Sequence, residues 1–264
     1  TYDLKSKCES KFLQEEICLE NNILKPLLKG AEIKRYAQPK PNNVLIFPYS
    51  TDNDKLISFA RTDMKRYPLT FEYLNSTKDK LLKRSNVDTK NWWLYPYPKN
   101  LLIMEKPKII YQVLSREGSF TLDEHGEYFY VGGGNAGGYA ITTESNDINE
   151  LKFLLGILNS KLTTFFISKV ASCFRGGYYS FGKHSFEHFS LPSSNLNNKE
   201  LINLVDEMIK LNKELLNCKV PNQEKILKIK IRKTDDKINQ LVYKLYDLTE
   251  DEIRIIEESI GNDS

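Results

Sequence analysis

Residues 128–183 place the tightest constraint on how this 264-residue chain can fold. They run YFYVGGGNAGGYAIT, then an apolar stretch with helical spacing, then FRGGYYSFGK, with HSF following. Seven of the chain's 13 glycines lie in GGGNAGG and GGYY, with Gly182 just beyond. Glycine is chosen where the backbone takes positive φ or must lie close to something. One helix therefore sets the spacing between two loops that either turn sharply or approach a partner.

Two phosphate-binding readings fail on their own requirements. Gly132, Gly134 and Gly137 satisfy G-x-G-x-x-G after a strand-like YFYV, but that fingerprint needs a helix next, with free N–H groups for a pyrophosphate. Gly138 to Thr143 instead reads as a second strand. Gly177, Gly182 and Lys183 approach the Walker spacing, yet His184 stands where a magnesium-binding hydroxyl belongs, and Tyr178, Tyr179 and Phe181 fill the cradle.

A different chemistry suits the second loop. Arg175, Tyr178, Tyr179, Lys183 and His184 combine cations, stacking rings and hydrogen-bonding groups on a Gly176-Gly177 hinge, a mixture fitted to a polyanion with readable bases. The first loop adds Asn135. The competing reading is a tight loop whose tyrosines close over a core.

The motifs GGGNAGGY, LLGILNSKL and FRGGYYSFGK, in this order with PKII upstream, resemble the TaqI-like specificity region of type IIG restriction-modification enzymes and related adenine-N6 DNA methyltransferases. The resemblance runs from ILKPLLKGAEIKRY through DKINQLVYKLYDLTEDEI. It implies a target-recognition domain that binds double-stranded DNA, while a methyltransferase domain of the same polypeptide does the chemistry. The cofactors it implies, S-adenosylmethionine with Mg an open addition, belong to that parent protein. A methyltransferase of this kind should carry an NPPY-type motif for a flipped adenine; IFPY at Ile46–Tyr49 lacks the paired prolines, and no P-D…E-x-K nuclease pattern occurs. The chain alone is expected to be non-catalytic, with no cofactor or metal site of its own. The rival class is a protein-interaction module assembled through its tail.

Composition agrees with a globular chain: 28% charged and 40% hydrophobic residues. No apolar run approaches the ~18 residues of a membrane span, and no signal peptide opens the chain. Thr1 in place of Met suggests a piece of a longer protein. Four scattered cysteines without C-x-x-C indicate neither a zinc knuckle nor a disulfide framework, and point to a reducing cytoplasm. Charge is uneven. Residues 199–264 hold 12 Lys/Arg against 14 Asp/Glu, leaving 26 against 21 before them.

Taken in order, residues 3–21 read as a polar helix. Lys34 and Arg35 are either phosphate contacts or a solvated pair. VLIFPY and KLISFA read as strands around a turn at Ser50–Asp54, and Phe71–Lys83 as an amphipathic helix. Trp92, Trp93, Tyr95 and Tyr97 crowd a proline-rich stretch, where burial is favoured over stacking on bases. KIIYQVL and SFTL are strands. Asp123, Glu124, His125 and Glu127 invite a metal reading but sit at a turn, and His184 with His188 lacks a third ligand. Leu151 to Phe166 has helical spacing, with Asn146 or Asp147 as cap. The tail repeats apolar residues in steps of three and four on either side of CKVPN, predicting an antiparallel hairpin, and Thr249 with Glu252 forms a capping box. The expected fold is α/β (α+β), a mixed sheet with packed helices followed by that hairpin. The expected domains are a helical linker over 1–38, a recognition domain over 39–192 and the hairpin tail over 199–264, with SSNLNN as linker.

Overall fold

The computed structural model describes residues 5–130, 138–192 and 197–261. It shows the α/β class expected, with the strands divided among several small sheets rather than gathered in one. Backbone contacts define two compact units. The first comprises Thr1–Leu27, Asn42–Glu105 and Glu127–Phe129; the second comprises Leu28–Pro41, Lys106–Gly126 and Tyr130–Ser264.

The first unit opens on a hairpin, not the polar helix read over 3–21. Strands β1 (Lys5–Ser10) and β2 (Glu15–Glu20) pair antiparallel from Lys5↔Glu20 to Ser10↔Glu15. Lys5, Lys7 and Glu9 are exposed and alternate with Ser6, Cys8 and Ser10, a period of two that a helix cannot satisfy. Gln14 closes the turn at φ 56°. Next, β3 (Leu24–Leu28) pairs with β4 (Asn43–Ile46), and β5 (Tyr49–Asp52) with β6 (Lys55–Ser58). Pro48 breaks VLIFPY, so its first half pairs with β3 and Tyr49 starts the second hairpin. Asn53 and Asp54 both adopt positive φ there, as a tight hairpin turn requires.

Helices α1 (Arg61–Met64), α2 (Pro68–Ser76), α3 (Lys78–Leu81) and α4 (Leu101–Met104) complete this unit, the helix expected over Phe71–Lys83 being interrupted at Thr77. Its core joins Ile23, Met64, Leu74, Trp92 and Trp93. The Trp93 indole donates to the Phe59 carbonyl at 2.9 Å, so both tryptophans are structural, while Tyr97 is 59% exposed.

The second unit is organised on one extended run, β7 (Lys108–Gln112) and β8 (Leu114–Ser115). With β9 (Phe120–Asp123), β10 (Phe129–Tyr130) and β11 (Gly138–Ile141) named in order, the first of its sheets is β11-β7-β9, antiparallel throughout. The stretch read as one helix from Leu151 to Phe166 is two, α5 (Ile148–Leu158) and α6 (Lys161–Val170), meeting at 64°. Asp147 caps α5 and Ser160 caps α6. Between them, Asn159 exchanges hydrogen bonds with the Phe120 backbone, N–H to Oδ1 and Nδ2 to C=O, each at 3.0 Å. The bend thus belongs to the sheet contact.

Strands β12 (Cys173–Phe174) and β13 (Tyr178–Ser180), helix α7 (Lys183–Phe186) and the closing helices α8 (Lys199–Asn217), α9 (Pro221–Leu245) and α10 (Glu250–Gly261) follow. The expected hairpin is α8 and α9, joined over residues 218–220. Its base is not a separate body. Leu201, Val205, Met208, Ile238 and Val242 share one core with Phe120, Leu151, Leu155 and Phe181, and Gly156 leaves room for Leu201 and Val205. The end of the recognition segment near residue 192 is therefore not a packing boundary.

Arg35, weighed as a phosphate contact, is internal to this unit. Its Nη2 donates to Asp235 at 2.6 Å and its Nε to the Asn159 carbonyl at 3.1 Å, tying the α5–α6 bend to α9. Among the described residues no single helix is long and apolar enough to cross a membrane; α5 and α6 pass only as a bent pair, and their apolar residues line the core.

Candidate nucleic-acid interface

Both glycine-rich segments connect to the same end of the β7–β8 run. Gly138, which follows the first, opens β11 opposite Gln112, whereas Tyr179, which follows the second, sits opposite Ser115. Residues 131–137, including Gly132, Gly134, Asn135 and Gly137, lie outside the described residues. The segment nevertheless leads into a strand, as the case against a dinucleotide fingerprint required.

The second segment is a β-hairpin. Cys173 pairs with Tyr179 and Phe174 with Tyr178, leaving Arg175, Gly176 and Gly177 as the turn. Gly176 has φ +89° and Gly177 φ +74°, values that L side chains rarely adopt, so the positive-φ reading of this pair holds. The hairpin is fastened below by the Phe181 N–H, which donates to the Val113 carbonyl at 2.7 Å, and by the buried Phe181 ring. Above that anchor everything is open: Cys173 through Tyr178 are six consecutive exposed residues. Arg175 has no ion-pair partner among the described residues, so its guanidinium is available.

Arg116, which the sequence reading passed over, belongs to this surface. It follows β8 directly and places its guanidinium 5.2 Å from the centre of the Tyr178 ring. Its signal was present only in the pairing, because nothing within residues 108–116 marks it as different from any surface arginine. Beneath the turn lies a cleft of about 490 Å³, lined by Arg116, Glu117, Ser168, Gly176, Gly177 and Tyr179 among others. Tyr139 and Phe174 are exposed aromatics nearby in the strand register, Tyr139 stacking on Tyr111 at 6.0 Å. Burial, with Tyr139 and Tyr130 beside it, pushes the Tyr111 phenol well up, and burial alone takes Tyr130 up to about 12. Both phenols stay protonated at neutral pH.

Lys183 and His184 are exposed on α7, beyond buried Phe181, and do not line the cleft. His184 Nδ1 is 3.1 Å from Glu187. Gly182 caps a four-residue helix and Tyr178–Ser180 is a strand, so no phosphate loop forms here. The acidic turn is also resolved: Asp123 forms a fully buried ion pair with Lys108 across β7–β9. No His, Cys, Asp and Glu group suited to a metal occurs among the described residues.

What the arrangement offers is a fork of donors (Arg175, Arg116), an acceptor (Glu117), and aromatic faces, mounted on a turn that brings bare backbone forward. That set can contact phosphate or a base edge. Comparison with known proteins gives the same direction. The profile of the TaqI-like C-terminal specificity domain matches residues 25–192, more than half the chain. The chain is also 24% identical over 167 residues to the type II restriction enzyme and methyltransferase RM.Eco57I of Escherichia coli, a match covering 60% of this chain and 16% of that protein. It therefore corresponds to a minor part of that relative's length.

Proposed function

The chain belongs to the family of TaqI-like C-terminal specificity domains, and on that premise we propose that it reads the base sequence of double-stranded DNA for a type II restriction-modification enzyme. The observation that carries the reading is the exposed Cys173–Tyr178 hairpin with its arginine on two positive-φ glycines. Arg175 is the leading base reader, Tyr178, Tyr179 and Arg116 extend the contact, and Lys183 and His184 add outlying phosphate contacts. Arginine donates bidentately to guanine and glutamate accepts from cytosine N4, so Arg116 and Glu117 offer complementary readers of a G·C edge. In the first segment Asn135 is proposed as a second base contact.

The chemistry is assigned to a partner domain. We propose an adenine-N6 methyltransferase domain in the same polypeptide, using S-adenosylmethionine, with any Mg-dependent cleavage also outside these residues, and a cytoplasmic setting where duplex DNA is accessible. The relative named for both activities supports this extension.

The test is selection of bound duplexes from a randomised pool with the intact chain and with Arg175→Ala. A base contact predicts lost discrimination at one position by roughly 5- to 150-fold, equivalent to ~1–3 kcal/mol. A phosphate contact predicts uniform weakening and a shallower salt dependence. If the variant retains its thermal stability and enriches the same sequence with the same affinity, the hairpin is not the reader.

A further inference from the structure

The α8–α9 hairpin carries a charge segregation that its packing does not require. Residues 210–233, which span its tip, hold eight Lys/Arg against two Glu, whereas the rest of residues 199–264 holds four against twelve. The hairpin's buried residues in the common core all come from its base, Leu201 to Met208 on α8 and Ile238 and Val242 on α9, with Ile209 and Ile231 packed partly against it. Beyond that, Leu211 and Leu227 are buried within the two-helix arm itself, which extends the helices by roughly 15–20 Å at 1.5 Å per residue.

The basic groups point outward. Lys225, Lys228, Lys230, Arg232 and Lys233 are all exposed on α9, while Leu227 and Thr234 take its inward face. Lys228 is occupied by Glu224 at 2.6 Å. Lys225, Lys230, Arg232 and Lys233 have no ion-pair partner among the described residues. On α8, Lys210 and Lys213 are likewise exposed. A solvated helix face ordinarily mixes signs through i,i+4 pairs; among the described residues α9 forms such an ion pair at Glu224–Lys228 alone, with Asp236 standing four residues from Arg232 without pairing to it.

From this we infer that the hairpin tip is a second, sequence-independent contact with the phosphate backbone of duplex DNA, outside the bases read by the Cys173–Tyr178 hairpin. The inference rests on the DNA-recognition reading above and specifies how affinity is divided. Flexible lysines with no fixed acceptor neutralise phosphates without selecting bases. The arm thereby supplies affinity, and the glycine hairpin supplies discrimination.

The experiment uses the intact 264-residue chain and a variant combining Lys225→Gln, Lys230→Gln, Arg232→Gln and Lys233→Gln. A charge-retaining control carries Arg in place of the three lysines. Binding is measured from 50 to 200 mM salt on the selected duplex, a scrambled duplex, and the selected duplex trimmed of its flanks. The glutamine variant should lose about tenfold or more in affinity on both full-length duplexes and show a salt slope shallower by roughly 2–4, near 0.9 for each phosphate that is no longer neutralised. Its preference for the selected sequence should be unchanged, it should be indifferent to trimming, and the arginine control should bind like the original. An unchanged slope in a variant with the original unfolding midpoint overturns the inference, leaving the loop reading intact if Arg175→Ala still erases preference. Loss of preference along with affinity also overturns it, because the arm would then read bases. Absence of any DNA binding by the unmodified chain at low salt removes the function itself, and the arm's role with it.

Discussion

Arg116 and the glycines give the sharpest tests at the level of single residues. The Arg116 guanidinium over Tyr178 is exposed, so the contact is worth about 0.5–1 kcal/mol and its removal should barely move the unfolding midpoint. Arg116→Ala should instead weaken DNA binding, because both a donor and the support for Tyr178 disappear; unchanged binding in a fluorescence titration would separate Arg116 from the site. Glycines divide into two kinds. At Gly177 an added Cβ meets nothing within 4 Å, so Gly177→Ala brings only the strain of φ +74°, about 1 kcal/mol. At Gly118 the same Cβ would lie 2.6 Å from the Leu158 carbonyl oxygen, a backbone atom that cannot step aside. Gly118→Ala should therefore lower stability by about 1–3 kcal/mol, and equal denaturant midpoints for the two variants would contradict this contrast. Gly176 and Gly177 were legible in the sequence because what they supply, positive φ in a tight turn, is a local property. Gly118 and Gly156 were not, since what crowds them is some 40 residues away.

At the scale of elements, the strongest local device is a carboxylate that starts a helix. Glu20, buried at the end of β2, accepts from the N–H groups of Leu69 and Thr70, each at 2.9 Å, and from the Thr70 hydroxyl at 2.6 Å. Burial raises its pKa, but the hydrogen bonds from Thr70 and Leu69 together outweigh it and hold the group below the usual glutamate value. A depressed folded-state pKa means that its stabilisation is complete above the unfolded-state value near 4.3 and disappears as pH falls through the lower folded value. Glu20→Gln should cost about 1–3 kcal/mol at neutral pH and flatten the acid-side loss of stability followed by tryptophan emission; an unaltered acid limb would show that another group controls it. Sequence reading located most strands of the second unit, because KIIYQVL, SFTL and GYAI are short apolar runs between turns. It missed the β1–β2 hairpin for the opposite reason: with Lys and Glu on the outward positions, only the alternation distinguishes it from a solvated helix. The break in α5–α6 was hidden too, since Asn159 and Ser160 interrupt no apolar spacing and act through Phe120 and a cap.

For the whole molecule, the question is what the tail holds together. Its helical period and the SSNLNN segment suggest a detachable hairpin, and the apolar spacing of each half is indeed self-consistent. The packing argues otherwise, because α8 covers α5: Leu201 and Val205 fill the space that Gly156 leaves, and Met208, Ile238 and Val242 continue the same core. Polar ties reinforce it, with Asp235 holding Arg35 at 2.6 Å and Asn239 accepting from the Lys161 N–H at 2.8 Å, at the start of α6. Removing residues 199–264 would uncover the face of α5 around Gly156, which packs on Leu201 and Val205, and each large side chain newly exposed forfeits about 1.5–3 kcal/mol of burial, so that a few of them together become comparable to the roughly 5–15 kcal/mol by which domains are stable. The truncated chain should therefore lose cooperative unfolding and bind hydrophobic dyes. The first unit gives an internal control. Both tryptophans of the chain, Trp92 and Trp93, sit in a core to which the tail contributes no residue. Their emission should stay blue-shifted while the helical signal of the second unit falls by more than the deleted helices account for. A truncated protein that melts sharply at the original temperature would show that the tail is dispensable packing, and that the base of the hairpin, like its tip, exists to meet a partner.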